Sequence, residues 1–336
     1  MGTVLSASAP LLRGDGRVEY AQRAYDRPGE GQLLIAPRAN ALCGTDRGFW
    51  VHGADHIPGH ETAGVVVEAG AGAKAQVGTR GVVYLMDFCG ACRSCRLGAT
   101  NQCSAKRADM GIADDGGLGP YELVHDSNFF SIPDDLDFAA ATMLLDVMGT
   151  SSHAIARAQG VRTDIESVYV AGAGPIGLGL LVMSKLLLGE DVPVHISDVS
   201  GWRRDLAGTL GGIPVDAVDL SKVGRPDIAF DASGKEVARR GALDILGQRG
   251  ALICVGHGEQ VTLEVSPDLI APEHAVLGSE YFRFDDLPGN LALLRANTDY
   301  ITSVITHRLP IGELEHAFEL FLAGETGKVV VEQDPR

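Results

Sequence analysis

The spacing of apolar residues changes near Asp137. Before it, apolar positions come in short β-branched or alternating runs at 32–36, 63–68, 81–85 and 121–124, separated by Gly and Pro. Strands this short with irregular loops predict a partly open β barrel or a pair of packed sheets. Beyond it the segments lengthen. A helix-prone apolar stretch at 138–145 leads to a buried-type strand at 167–171, a glycine turn and an apolar helix at 176–188. A strand at 194–197, a helix at 202–210, and strands at 227–231 and 251–255 around a helix at 236–246 follow. Strand and helix in alternation predict a parallel sheet with helices on both faces. A helix at 311–322 and a closing strand at 328–332 come last, the strand free to rejoin the first part of the chain.

At 336 residues the chain is long enough for two domains. Its 45% hydrophobic and 21% charged residues are ordinary for a soluble enzyme. A formal net charge of −16 repels phosphate backbones and anionic lipid, so neither nucleic acid nor a membrane is an expected partner; its plainest reading is solubility. No apolar run reaches the ~18 residues of a membrane span. Residues 1–10 lack the basic start of an export signal, and a cytoplasmic location is expected.

The glycine turn changes the picture most. Val168-Tyr169-Val170-Ala171 runs into Gly172-Ala173-Gly174-Pro175-Ile176-Gly177, a G-x-G-x-x-G between strand and helix. The first glycine makes the tight turn, the second lets backbone approach a pyrophosphate, and the third lets helix and strand pack closely. Asp198 ends the next strand, 21 residues beyond Gly177. A carboxylate there accepts hydrogen bonds from ribose hydroxyls and repels a 2′-phosphate, so NAD is expected over NADP. Arg203 and Arg204 temper this preference, since an arginine near the ribose stabilises a phosphate or covers the adenine.

Cysteine spacing adds a metal. Cys89, Cys92, Cys95 and Cys103 form C-x2-C-x2-C-x7-C, a spacing able to close a four-thiolate shell around zinc; two disulfides are the alternative. A closed shell is structural, so a catalytic zinc needs about three other ligands and an open position. Cys43, in Cys43-Gly44-Thr45-Asp46, and His60, in Pro58-Gly59-His60-Glu61, are candidates for it.

With these strings, the four-cysteine lobe and the closing Gly327-Lys328-Val329, nearly the whole chain resembles the zinc-dependent medium-chain dehydrogenase/reductase family of alcohol, polyol and threonine dehydrogenases. The resemblance implies an α/β fold: a doubly wound Rossmann domain at 147–287, and a β-rich GroES-like catalytic domain with a structural zinc lobe at 1–146 and 288–336. It implies two zinc ions per chain, with Asp146 as third catalytic ligand, four residues before Thr150, which packs against the nicotinamide. It makes Asp46 the residue that orients His60, places Glu61 behind the metal, and makes Thr45 the first proton acceptor. Gly172, Gly174, Pro175, Ile176, Gly177, Asp198 and Arg203 are the expected cofactor contacts.

The reaction implied is reversible oxidation of a small-molecule alcohol to a carbonyl, with hydride passing to NAD. A polyol, cyclitol or sugar with a secondary hydroxyl is expected, because the rim residues Phe49, Trp50, His52, Leu85, Asp87 and Met110 mix aromatic and polar character. A simple secondary alcohol or an amino alcohol of threonine type is the alternative. A catalytically silent zinc-binding homologue is the rival from another class, and the resemblance implies a homodimer or homotetramer. The chain departs from its relatives at Gly48, where they often carry the outer histidine of a proton relay. His52, His56 or direct release to water are the substitutes. The stretch from Cys43 to His60, 17 positions, is shorter than usual, which implies a more open rim.

Overall fold

The computed structural model describes residues 5–334; the outermost parts of the N-terminal stretch and of the expected catalytic domain, 1–4 and 335–336, lie outside the described residues. In chain order the strands are β1 (Leu5–Gly14), β2 (Arg17–Tyr25), β3 (Gln32–Ala41), β4 (Thr62–Ala69), β5 (Arg80–Val83), β6 (Met86–Asp87), β7 (Ala108–Asp109), β8 (Glu122–His125) and β9 (Phe129–Ser131). Then follow β10 (Val168–Ala171), β11 (Val194–Asp198), β12 (Ile213–Asp216), β13 (Ile228–Asp231), β14 (Ala251–Cys254), β15 (Ala275–Gly278), β16 (Ile305–Pro310) and β17 (Lys328–Glu332).

One seven-stranded sheet runs β16-β17-β3-β4-β5-β9, with β8 also on β3. β3 is longer than its weak alternation predicts. It is the seam of the sheet: Gln32–Ile35 pair with β8, Ala39–Ala41 with β17, and β4 lies along its other edge. Eight of its ten residues are buried, and a strand buried on both faces carries no period-2 signal. The hairpin β1–β2 was not expected from the pattern, because its faces are mixed in polarity; its signal was the turn Asp15-Gly16, both residues at positive φ.

The second sheet has order β12-β11-β10-β13-β14-β15, every neighbouring pair parallel. This is the doubly wound dinucleotide-binding order, and ligands bind such sheets at the carboxyl ends of the strands. Helices Pro175–Leu188, Gly201–Thr209 and Glu236–Ile245 match the expected segments within two residues at each end. The apolar stretch at 138–145 is helical only over Phe138–Thr142; after it the chain makes a wider π-helical turn, Asp146–Thr150, and then the helix Ser151–Gln159. The helix expected at 311–322 starts as a tight turn and becomes α-helical over Leu314–Ala323.

Three crossings tie the sheets together. The helix Pro175–Leu188 packs on the turn Asp146–Thr150, close enough that a Cβ on Gly179 would lie 2.5 Å from the Val147 carbonyl oxygen. The segment after β15 returns across the catalytic part, where Asn101 Nδ2 donates to the Glu280 carbonyl at 2.7 Å and the Phe284 amide to Thr100 Oγ1 at 2.8 Å. β17 then joins β3 antiparallel. Among the described residues no helix is long and apolar enough to cross a membrane.

Candidate active site

Cys43 leaves β3 just before the short helix Asp46–His52, His60 precedes β4, and Asp146 opens the π-helical turn. π turns recur at functional sites because they re-aim side chains that a regular helix would stagger. Here one potential donor atom from each of Cys43, His60, Glu61 and Asp146 lies within 4.8 Å of the others, and all four residues are buried. Cys43 Sγ stands 3.0 Å from Asp146 Oδ2, which is 3.5 Å from His60 Nε2.

The electrostatics of this cluster suit a cation. Burial pushes the Cys43 thiol up, aided by the Asp146 charge. Burial also raises Asp146, but hydrogen bonding to His60 and the charges of His60 and Lys328 outweigh it and hold the carboxyl well below its usual range. Burial lowers His60, and the neighbouring Cys43 and Asp146 more than reverse it. Two acids, a thiol and an imidazole thus converge out of water with positive charge drawn onto the imidazole. A divalent ion with thiolate, imidazole and carboxylate ligands fits that demand.

Orphaned atoms point the same way. Asp46 Oδ1 and His60 Nδ1 are buried without hydrogen-bond partners, 3.9 Å apart. The expected hydrogen bond from His60 to Asp46 is therefore not made, and the other oxygen of Asp46 accepts from the Cys43 amide at 2.9 Å. Glu61 Oε2 is also unpartnered, while Oε1 meets Lys328 Nζ; both residues are fully buried. Burial pushes the Glu61 carboxyl up to about 8, against the pull of the Lys328 ammonium. Burial works against that ammonium too, and Glu61 outweighs it to raise Lys328. In the sequence Lys328 belongs to a closing motif, and its mark is a lysine opening the apolar run Val329–Val331.

Thr45 is exposed, its Oγ1 3.9 Å from Cys43 Sγ, and Thr150 is buried with its hydroxyl 3.4 Å from Asp146 Oδ1. Gly48 is open, with nothing near the position of a Cβ. His52 is exposed, whereas the His56 ring meets Phe49 edge-on at 4.9 Å and its Nε2 is buried without a partner. Trp50 is a correction to the expected rim. It is 8% exposed and stacks on Phe318 at 4.6 Å, in a core that the helix Leu314–Ala323 completes.

The glycine turn opens the helix Pro175–Leu188 with Gly174 at its N-cap. Gly172 has φ +98°, and a Cβ on Gly177 would stand 1.7 Å from the Gly172 carbonyl oxygen, so only glycine fits there. Around Gly174 the space is open, the Arg203 guanidinium 3.7 Å from where a Cβ would lie. Asp198 is held by the Ala173 and Ser200 amides, each at 2.8 Å. Arg203 Nε donates to the Thr326 carbonyl at 3.2 Å, and Arg204 to that of Asp198.

In the four-cysteine lobe Sγ separations are 3.5 Å for Cys92–Cys95, 3.9 Å for Cys92–Cys103 and 4.0 Å for Cys89–Cys95. A tetrahedron with metal–sulfur bonds of about 2.3 Å has edges of about 3.8 Å, whereas a disulfide needs about 2.05 Å. All six cysteines are free thiols, so the disulfide alternative is set aside. Amides of Ala91 and Cys92 donate to Cys89 Sγ, and that of Cys89 to Cys103 Sγ, which favours thiolate charge. The two clusters fit two zinc sites.

The chain is similar to known proteins over most of its length. Residues 29–134 match the alcohol dehydrogenase GroES-like domain. The L-threonine 3-dehydrogenase of Idiomarina loihiensis is 30% identical, over 91% of this chain and 93% of that protein. An uncharacterized zinc-type alcohol dehydrogenase-like protein of Escherichia coli is 27% identical over 98% and 99%. A thermostable alcohol dehydrogenase of Pyrobaculum aerophilum, solved with cobalt and zinc, superposes with TM-score 0.84 at 25% identity, covering 98% of this chain and all of that one.

Proposed function

The chain belongs to the zinc-dependent medium-chain dehydrogenase family, an oxidoreductase family acting on CH–OH groups, and from that premise we propose that it oxidises a secondary alcohol of a polyol, cyclitol or sugar to a ketone with NAD. The observation that carries the reading is the buried convergence of Cys43, His60, Glu61 and Asp146 beside Thr150, on a turn packed against the glycine-rich helix. Cys43, His60 and Asp146 would hold the catalytic zinc and the four-cysteine lobe the structural one. We divide the chain into a catalytic domain, 1–146 with 288–336, and a nucleotide domain, 147–287.

When bound, zinc acts as a Lewis acid at the alcohol oxygen and the nicotinamide accepts the hydride. The chain does the rest. Thr45, exposed beside Cys43, takes the hydroxyl proton, and with Gly48 in the usual place of a relay histidine the proton passes on to solvent through the open rim. Asp46 fixes the loop by accepting from the Cys43 amide, and Lys328 keeps Glu61 from remaining an uncompensated charge. Asp198 presents a fixed carboxylate to the ribose; Arg203 and Arg204 are both engaged by carbonyls, which supports NAD over NADP.

An NAD-reduction screen over polyols, cyclitols, secondary alcohols and amino alcohols, with zinc measured on the same sample, tests the reading. Two zinc ions per chain and NADH from polyols are expected. Two zinc ions with no NADH from any alcohol would sink it. Threonine belongs in the screen because of the 30% identity to a threonine dehydrogenase.

A further inference from the structure

We propose that Arg239 is a positioning residue for the cofactor: its buried guanidinium ties the loops after β13 and β14 into one bed for the nicotinamide half of the dinucleotide. The inference rests on the dehydrogenase reading above. By pattern, Arg239 is out of place. The helix Glu236–Ile245 buries Arg239, Ala242 and Leu243, so an arginine stands on its core face at 8% exposure. A buried cation is costly unless it is paired and its N–H groups find acceptors.

Here it is paired, and its acceptors lie in two loops. Arg239 Nε is 2.6 Å from Asp231 Oδ2, at the end of β13. Its two terminal nitrogens donate to the carbonyls of Gly256 and Glu259, in the loop after β14. The other oxygen of Asp231 accepts from the amides of Ser233 and Gly234, at 2.9 and 3.1 Å, and from the Ser233 hydroxyl at 2.7 Å. One buried ion pair therefore holds both loops. They also meet directly: a Cβ on Gly256 would lie 2.6 Å from the Gly234 amide nitrogen, and the Glu259 amide donates to the Gly234 carbonyl at 2.7 Å. Residues 257–259 are themselves exposed, so the loop after β14 is held from its buried side.

Both loops border the place of the ligand. Ser233 packs on the glycine turn, its amide nitrogen 3.1 Å from where a Cβ on Gly172 would lie. From β10 the sheet runs one way to β11, which ends at Asp198, and the other way to β13 and β14; a dinucleotide lies across the carboxyl ends at such a switch point. With the adenosine over Asp198, the other half falls to the β13–β14 side. Val255, Gly256 and His257 line a cavity of about 600 Å³ there, together with Ser279, Asn101 and His153. Two of its polar atoms, Asn101 Oδ1 and Ser279 Oγ, are buried without a hydrogen-bond partner among the described residues, which suits the wall of a ligand site. Arg239 acts on this cavity through Gly256.

Arg239→Lys keeps a charge beside Asp231 but loses the planar fork that reaches all three acceptors. A paired variant, Asp231→Asn with Arg239→Gln, removes both charges together and leaves no uncompensated ion. Calorimetry measures NAD and ADP binding to each, with thermal melts alongside. NAD should bind about tenfold or more weakly to both variants and ADP less than about threefold more weakly, since only the bed of the nicotinamide half loses its order. Equal weakening of NAD and ADP, which a general loss of structure gives, or unchanged NAD binding overturns the role of Arg239 and leaves the dehydrogenase reading intact. A wild type that binds neither NAD nor NADP overturns both.

Discussion

On the Asp146 carboxylate two opposing pulls meet: burial, which raises it, and the charges of His60 and Lys328, which lower it further. Replacing it leaves Cys43 and His60 as two ligands without a counter-charge. Asp146→Ala is expected to bind one zinc per chain instead of two and to lose turnover, while its circular dichroism stays that of the parent; metal analysis and NADH formation decide it. Glu122 poses the opposite case. It is fully buried with both oxygens unpartnered, since the Thr62 hydroxyl donates to Asn40 Oδ1 at 3.3 Å. Burial pushes its carboxyl up from 4.5 to about 8. The unfolded state therefore ionises first, and stability contributed by neutral Glu122 is present below about pH 4.5 and lost as pH rises toward 8. Glu122→Gln should flatten that slope and gain about 1–3 kcal/mol at pH 8 in denaturant titrations; an unchanged slope would refute it. Cys43, His60 and Asp146 were readable because each sits in a specific string. Lys328 was not, because its partner Glu61 lies 267 residues away in sequence.

For elements, the glycine turn after β10 separates folding from binding. Gly177→Ala drives a methyl into the Gly172 carbonyl and should cost more than the about 1–3 kcal/mol of ordinary overpacking, seen as a lowered thermal midpoint. Gly174→Ala meets only the end of Arg203, so the fold should hold while NAD binding weakens tenfold or more, about 1.4 kcal/mol per decade. Calorimetry of NAD binding beside thermal melts checks both; equal stability for the two variants would count against this packing account. The parallel sheet was legible because its buried strands and capped helices alternate. β12, β15 and β16 carry little signal: each is an edge strand, β12 and β16 mix polar with apolar residues, and β15 is a bare four residues, Ala275–Gly278, ending in glycine. The π-helical turn Asp146–Thr150 has no period of its own to read, being five residues of mixed character packed against the helix Pro175–Leu188.

Across the whole molecule, the candidate metal site is assembled from both ends of the chain. Lys328 opens β17, which pairs with β3, and its ammonium is buried against Glu61. Lys328→Met removes one partner of a buried pair and should cost about 3–5 kcal/mol. Zinc is expected to be lost from the Cys43 cluster and kept in the lobe, whose four cysteines are local in sequence; loss from both alike in a folded variant would contradict this. The β17–β3 pairing also sets an order of events during synthesis. The lobe's ligands all emerge early and together, so that site can close on a growing polypeptide. The second site has its thiol, imidazole and carboxylates long before its lysine, and until β17 leaves the ribosome Glu61 has no cation of its own. β17 therefore decides when the chemistry can begin, because the buried Glu61 stays uncompensated until Lys328 arrives.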